Sequence, residues 1–216
     1  MVKLINFYKI LAFLYFSSLF FINFESSANE IRYINQYQIV GDKNFVTDYE
    51  VFNVDGTINA VIEIPSGTNE KWEVTKYGKI IEWEFRNGQP RIIDYLNYPA
   101  NYGFIPRTYL PESVGGDGDA LDILVLGPVI NRGRVVKVKV MGMMEMYDNS
   151  EIDNKIIAAT EDSQISRLGS INKFERDYPG LLDILKIWFT NYKSVNTEIL
   201  GFVGKPKTIK FINPAS

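Results

Sequence analysis

The stretch "RVVKVKVMGMMEM", residues 134–146, constrains the fold more than any other part of this chain. Val136, Val138 and Val140 alternate with Lys137 and Lys139, the period-two pattern of a strand. Gly142 interrupts the run and predicts a bulge within it. Shorter strand patterns precede it. "INAVIEI" places Ile58, Ala60, Ile62 and Ile64 on one side and Glu63 on the other, and Pro65 ends it. "KWEVT" and "KIIEWEF", separated by Tyr77-Gly78, read as a hairpin, and "LDILVLG" as a short buried strand. Helical periodicity comes late. In residues 181–193, Leu181, Leu185, Trp188, Phe189 and Tyr192 form one apolar stripe, with Pro179 at a first helical position and Asp177 as the cap. Residues 29–53 are polar and weakly patterned and read as an extended arm or loop. The chain's 216 residues suffice for one sizeable core and hardly two. Strands first and helices after predict a single α+β domain, residues 29–216, around a small barrel-like sheet.

The first 28 residues stand apart. Residues 1–9 carry Lys3 and Lys9 and no acid, residues 10–22 are uncharged, and Ser26-Ser27-Ala28 is a small-x-small ending. This is the pattern of a secretory signal cleaved after Ala28, and it predicts export, with the periplasm as destination. The apolar run is short for a membrane span; an uncleaved anchor is the alternative. The leader holds two lysines and one glutamate, so the remainder is one unit more negative than the whole-chain −3. A mildly acidic chain is a poor binder of nucleic acid or anionic membranes, and no stable membrane association is expected after cleavage.

The chain contains no Cys and no His. Disulfides, thiol nucleophiles, Ser-His-Asp triads and His- or Cys-ligated metals are therefore excluded. Any metal must be held by oxygen, which suits hard cations.

"GGDGDALDILVL" then becomes informative, because it sets Asp117, Asp119 and Asp122 directly before an apolar run. Gly118 permits a tight turn that aims several carboxylates at one point. An EF-hand loop counted from Asp117 fails, with Leu121, Asp122 and Pro128 at its fifth, sixth and twelfth positions. A solvated acidic turn explains this segment as well as a metal site does. A second acidic segment, "YDNSEIDNK", carries Asp148, Glu151, Asp153 and Lys155 at the end of the long strand. Glu63, Lys71, Glu73, Arg91, Tyr102, Tyr192 and Lys193 are bland one by one. Together, clustered acids binding several cations and faced by Lys, Arg and Tyr make chemical sense as a site for a polyanionic phosphate.

The sequence resembles the family I soluble inorganic pyrophosphatases. "DGDALDILVL" is similar to the family signature, accompanied in order by "VIEIP", "KWE", "YPANYGFIP", "DNSEIDNK" and "NYK". The resemblance implies a small closed β-barrel of the oligonucleotide-binding type, about five strands, with flanking C-terminal helices. It implies magnesium-dependent hydrolysis of inorganic diphosphate to two orthophosphates, with several ions per site and manganese or cobalt as substitutes. By position, Asp117, Asp122, Asp148 and Asp153 match metal ligands, and Glu63 and Glu73 match acids at the edge of the cluster. Lys71, Arg91, Tyr102, Lys155, Tyr192 and Lys193 match groups that hold the phosphates, and Asp119 matches the residue that takes a proton from the attacking water. A homo-oligomer, typically a hexamer in bacterial relatives, is also implied.

The chain departs from the family pattern in places. The spacings Glu63-to-Lys71 and Arg91-to-Tyr102 are each one residue short, so Arg86 competes with Arg91 for its role. Pro90 and Asn149 stand where acids are common. Two other readings stay open. One is an exported module that holds calcium or a polyanion without turnover, which would have no use for Lys71, Arg91, Tyr102, Lys155 and Tyr192. The other is a phosphohydrolase acting on nucleotides or polyphosphate.

Overall fold

A computed structural model describes residues 30–193 and 196–215; the predicted leader lies outside them. In chain order the elements are β1 (Ile31–Asn35), β2 (Gln38–Gly41), β3 (Ile58–Ile64), β4 (Trp72–Val74), β5 (Ile80–Trp83), β6 (Phe85–Arg86), β7 (Gln89–Pro90), β8 (Asn101–Phe104), β9 (Asp122–Leu126), β10 (Val135–Asp148), β11 (Glu151–Ile152) and β12 (Lys155–Thr160), followed by α1 (Ile171–Asp177), α2 (Leu181–Asn191), β13 (Thr197–Gly204) and α3 (Lys205–Ala215). The fold is mixed and sheet-rich with few helices.

The pairings of the main sheet run β3–β8–β9–β12–β10 and return from β10 to β3. Only β9 and β12 pair in parallel among these five. The long β10 makes this possible. Its first residues pair with β3, its middle with β12, and its far end with β13 and β11. The register against β12 shifts between Val140 and Gly142, the bulge expected at that glycine. Gly103 of β8 is obligatory for another reason: a Cβ there would sit 1.8 Å from the Val61 carbonyl oxygen.

Alternate residues of the strands feed two cores. Ile58, Ala60, Ile62, Ile123, Val125, Val138, Val140, Ile156 and Ala158 form one, and α3 adds Ile212 to it. Val61, Ile64, Leu124, Ile157 and the helix residues Phe174, Leu185, Trp188 and Phe189 form the other. Ile64 therefore does not share a side with Ile58, Ala60 and Ile62, as strict alternation predicts. The β3–β8 register shifts between Ile62 and Ile64, so the odd residue is Glu63 and the face switches there.

Two other expectations are corrected. Residues 30–53, expected to be an extended arm or loop, are in part strand. They contain the antiparallel hairpin β1–β2, which continues through β5 to β4 as a second, four-stranded sheet. The N-cap of α2 is Gly180, in a left-handed conformation, while Asp177 ends α1; the cap predicted at Asp177 is not formed. No helix among the described residues is long and apolar enough to cross a membrane.

Candidate active site

The β3 bulge turns Glu63 away from both cores and into a polar cavity of about 350 Å³. Twelve of the thirteen predicted site residues line it; Asp148 does not, but its carboxylate is ion-paired with the lining residue Lys193. The competitor Arg86 is exposed on β6, whereas Arg91 lines the cavity.

The Asp117–Asp122 loop is held by its backbone. Gly118 N–H donates to the Leu110 carbonyl at 3.0 Å, and Leu110 N–H donates to the Asp119 carbonyl at 2.9 Å. Gly118 has φ +82°, a conformation that strains other residues. Asp117 accepts from Asp119 N–H at 3.0 Å, an Asx turn that tightens the loop. Asp122 opens β9, and the β9–β12 register sets it beside Lys155. Lys155 Nζ donates to the carboxylates of both Asp122 and Asp153. Lys71, just before β4, pairs with Glu73 at 2.7 Å and stands 5.2 Å from the Tyr102 ring centroid. Arg91 pairs with Glu84 at 2.5 Å. Tyr192, at the end of α2, stacks on Trp188 at 4.5 Å, which anchors the following Lys193.

Burial governs the electrostatics. It pushes the Glu63 carboxyl up to about 8, and the repulsion of Asp122 and Glu73 adds to this while Lys71 and the Val74 N–H oppose it. Burial also raises Asp119, with Asp117, Asp122 and Glu73 adding repulsion. Burial works against the charge of Lys155, but Asp122 and Asp153 outweigh it and hold the lysine protonated. Asp122 is lowered: burial opposes its charge, and Lys155 overcomes that. Of the predicted acids, Asp119 alone has a carboxylate with no hydrogen bond or ion pair among the described residues.

Sequence reasoning missed Tyr98. It is buried, packs 5.4 Å from Tyr102 and 4.6 Å from Trp188, and acts electrostatically on Lys71. Its place four residues before Tyr102 in "YPANY" was the available signal.

The donor set, all carboxylate and phenol oxygen, is that of a hard-cation site. Among the described residues no three acids close on one point. Lysine ammonium groups are ion-paired with Asp122, Asp153, Asp148 and Glu73. By donor type, these acids fit a hard divalent ion.

The inorganic pyrophosphatase family model matches residues 60–216. The inorganic pyrophosphatase of Kluyveromyces lactis is 36% identical over 175 residues, covering 73% of this chain and 61% of that protein. The mitochondrial inorganic pyrophosphatase of Saccharomyces cerevisiae is 32% identical over 157 residues, covering 63% of this chain and 50% of that one. This chain thus spans about half to three-fifths of the length of these curated relatives. The solved inorganic pyrophosphatase of Helicobacter pylori superposes with a TM-score of 0.65 at 32% identity, covering 78% of this chain and 96% of that chain. With a cavity of carboxylates, lysines and tyrosines built on the matched residues, the chain belongs to the inorganic pyrophosphatase family.

Proposed function

We propose that this protein hydrolyses inorganic diphosphate to two orthophosphates in a magnesium-dependent reaction. The observation that carries this reading is the convergence of two opposed sets of side chains on one cavity. Asp117, Asp119, Asp122, Asp153, Glu63 and Glu73 meet Lys71, Arg91, Lys155, Lys193, Tyr102 and Tyr192 there. Asp117, Asp122 and Asp153, with Asp148, Glu63 and Glu73 around them, would hold the ions. Magnesium bound there supplies acidification of water and neutralisation of phosphate charge. Lys71, Arg91 and Lys193 bind and orient the two phosphates, with Lys155, Tyr102 and Tyr192 closing the walls. Asp119, the acid left unpaired, accepts the proton of the attacking water. One water oxygen bonds to phosphorus as the bridging P–O bond breaks, and the leaving phosphate keeps the electron pair.

The ring of pairings among β3, β8, β9, β12 and β10 supports reading the sheet as a closed five-stranded barrel of the oligonucleotide-binding type. Residues 1–28 act as an export leader and residues 29–216 as one catalytic domain, on the residue pattern given above. A hexamer is the expected assembly, and sedimentation velocity measures it. The substrate is tested by competition. Diphosphate, ATP and tripolyphosphate are supplied together to purified protein with magnesium. Preferential loss of diphosphate supports the assignment; preferential loss of ATP or tripolyphosphate assigns the site to those substrates instead.

A further inference from the structure

Arg132 has none of the roles assigned above and does not line the cavity. It sits in the loop between β9 and β10, and its side chain is only 10% exposed. The loop backbone is stitched to β3: Gly133 N–H donates to the Ile62 carbonyl at 2.7 Å, and Ile62 N–H to the Arg134 carbonyl at 3.0 Å. Arg132 Nε donates to the Glu63 carbonyl at 2.8 Å. Its Nη2 donates to Glu70 Oε2 at 2.9 Å, and its guanidinium lies 4.0 Å from the centroid of the Trp72 ring. Glu70 Oε2 also accepts from Trp72 Nε1 at 3.0 Å. One planar group thus grips the backbone of Glu63, the face of Trp72, and the carboxylate bonded to the Trp72 edge.

The location of Trp72 gives this cluster its consequence. Trp72 stands between Lys71 and Glu73, which pair at 2.7 Å in the cavity. β4 is three residues long and lies at the end of its sheet, with β5 on one side only. Towards β3 it is tied by side chains: the Val74 N–H to Glu63 at 2.6 Å, and the Arg132–Glu70–Trp72 clamp. The Lys71 backbone is held by the Arg91 carbonyl at 3.0 Å and the Glu84 N–H at 2.8 Å, and these side-chain ties add the link from this short edge strand to β3. Lysine cannot replace the clamp, because it lacks both the fork that serves two acceptors and the flat face that stacks.

We propose that Arg132 is a positioning residue of the active site, fixing where Lys71 and Glu73 stand relative to Glu63 and so setting the affinity for diphosphate. This rests on the proposed function. The test uses full-length purified protein and the variants Arg132→Met, Arg132→Lys and Glu70→Gln. Three quantities are read: the calorimetric affinity for methylenediphosphonate with magnesium, KM and kcat for diphosphate, and the melting temperature. Arg132→Met weakens analogue binding and raises KM about tenfold, with kcat within about threefold; Arg132→Lys does not restore them. In a Lys71→Met background, Arg132→Met adds less than about twofold, because the two act through one group. Glu70→Gln keeps the shape of the clamp and removes its charge, and weakens binding about threefold; it carries the test if Arg132→Met does not fold. Variants that bind the analogue like the wild type, or add their full effect to Lys71→Met, would overturn the inference while a competent wild type left the proposed function standing. A wild type that neither binds the analogue nor releases phosphate would overturn both.

Discussion

Lys155 and Asp122 stand side by side because β12 runs parallel to β9, with Ile156 opposite Ile123. The Lys155 residue is 1% exposed, and its ammonium bonds Asp122 and Asp153 together. In the protein without metal it is the counter-charge that makes two neighbouring half-buried acids tolerable.

Replacing Lys155 with Met removes that counter-charge. Urea unfolding of metal-free Lys155→Met is expected to show a loss of about 3 kcal/mol. If Asp122 and Asp153 hold magnesium as proposed, millimolar magnesium narrows the deficit by binding the folded state. A deficit that magnesium leaves unchanged would mean the two carboxylates do not hold the ion.

Glu63 sets a pH dependence. Its folded-state value of about 8 lies above its ordinary 4.5. Between those values the unfolded chain releases the proton while the folded chain keeps it, so burial of Glu63 costs stability as pH rises from about 4.5 to 8. Metal-free Glu63→Gln, whose amide oxygen still accepts from Val74, should match the wild type near pH 4.5. By pH 8 it should exceed the wild type by about 2–4 kcal/mol. Parallel stability-versus-pH curves would contradict this.

Asn101 is fully buried and joins three segments. Its amide donates to the Val125 and Pro128 carbonyls, each at 3.0 Å, and its oxygen accepts from Ser66 N–H at 3.1 Å and Ile130 N–H at 2.8 Å. Asn101→Ala leaves those backbone groups unsatisfied. Denaturant unfolding should show a loss of about 3–5 kcal/mol; a loss under about 1 kcal/mol would mean water replaces the bonds.

The sequence carried some of this plainly and some not at all. The valine–lysine alternation from Val136 to Val140 announced β10, and Gly142 announced its bulge, because both signals are local. In the β1–β2 hairpin, β1 was invisible because Arg32, Tyr33, Ile34 and Asn35 are all exposed, and the four-residue β2 buries only Ile39 and Gly41. Asp177 and Pro179 carried a helix-start signal, yet α1 continues through Asp177 and the next helix waits for Gly180. The bulge at Glu63 has no glycine to mark it; only the strand pairing shows that the face switches there. Asp117, Asp119 and Asp122, and Asp148 and Asp153, were legible as acidic clusters near strand ends, while Glu63 and Glu73 stood alone within strands. Tyr98 and Arg132 were not, because their effects depend on Lys71 and Trp72, far away in sequence.

Among the described residues Asp119 has the one unpaired carboxylate of the predicted acids, so its removal is expected to separate chemistry from metal binding. Asp119→Asn should keep the wild-type melting temperature and magnesium affinity and lose about 100-fold or more in kcat. Unchanged turnover would remove it as the proton acceptor.

The most direct measurement is release of orthophosphate from diphosphate by the purified protein with magnesium. Release is expected to be rapid, to require the metal and to fall at least about 100-fold in Asp119→Asn. No release from diphosphate at any pH between 5 and 10, with magnesium, manganese or cobalt, would contradict it.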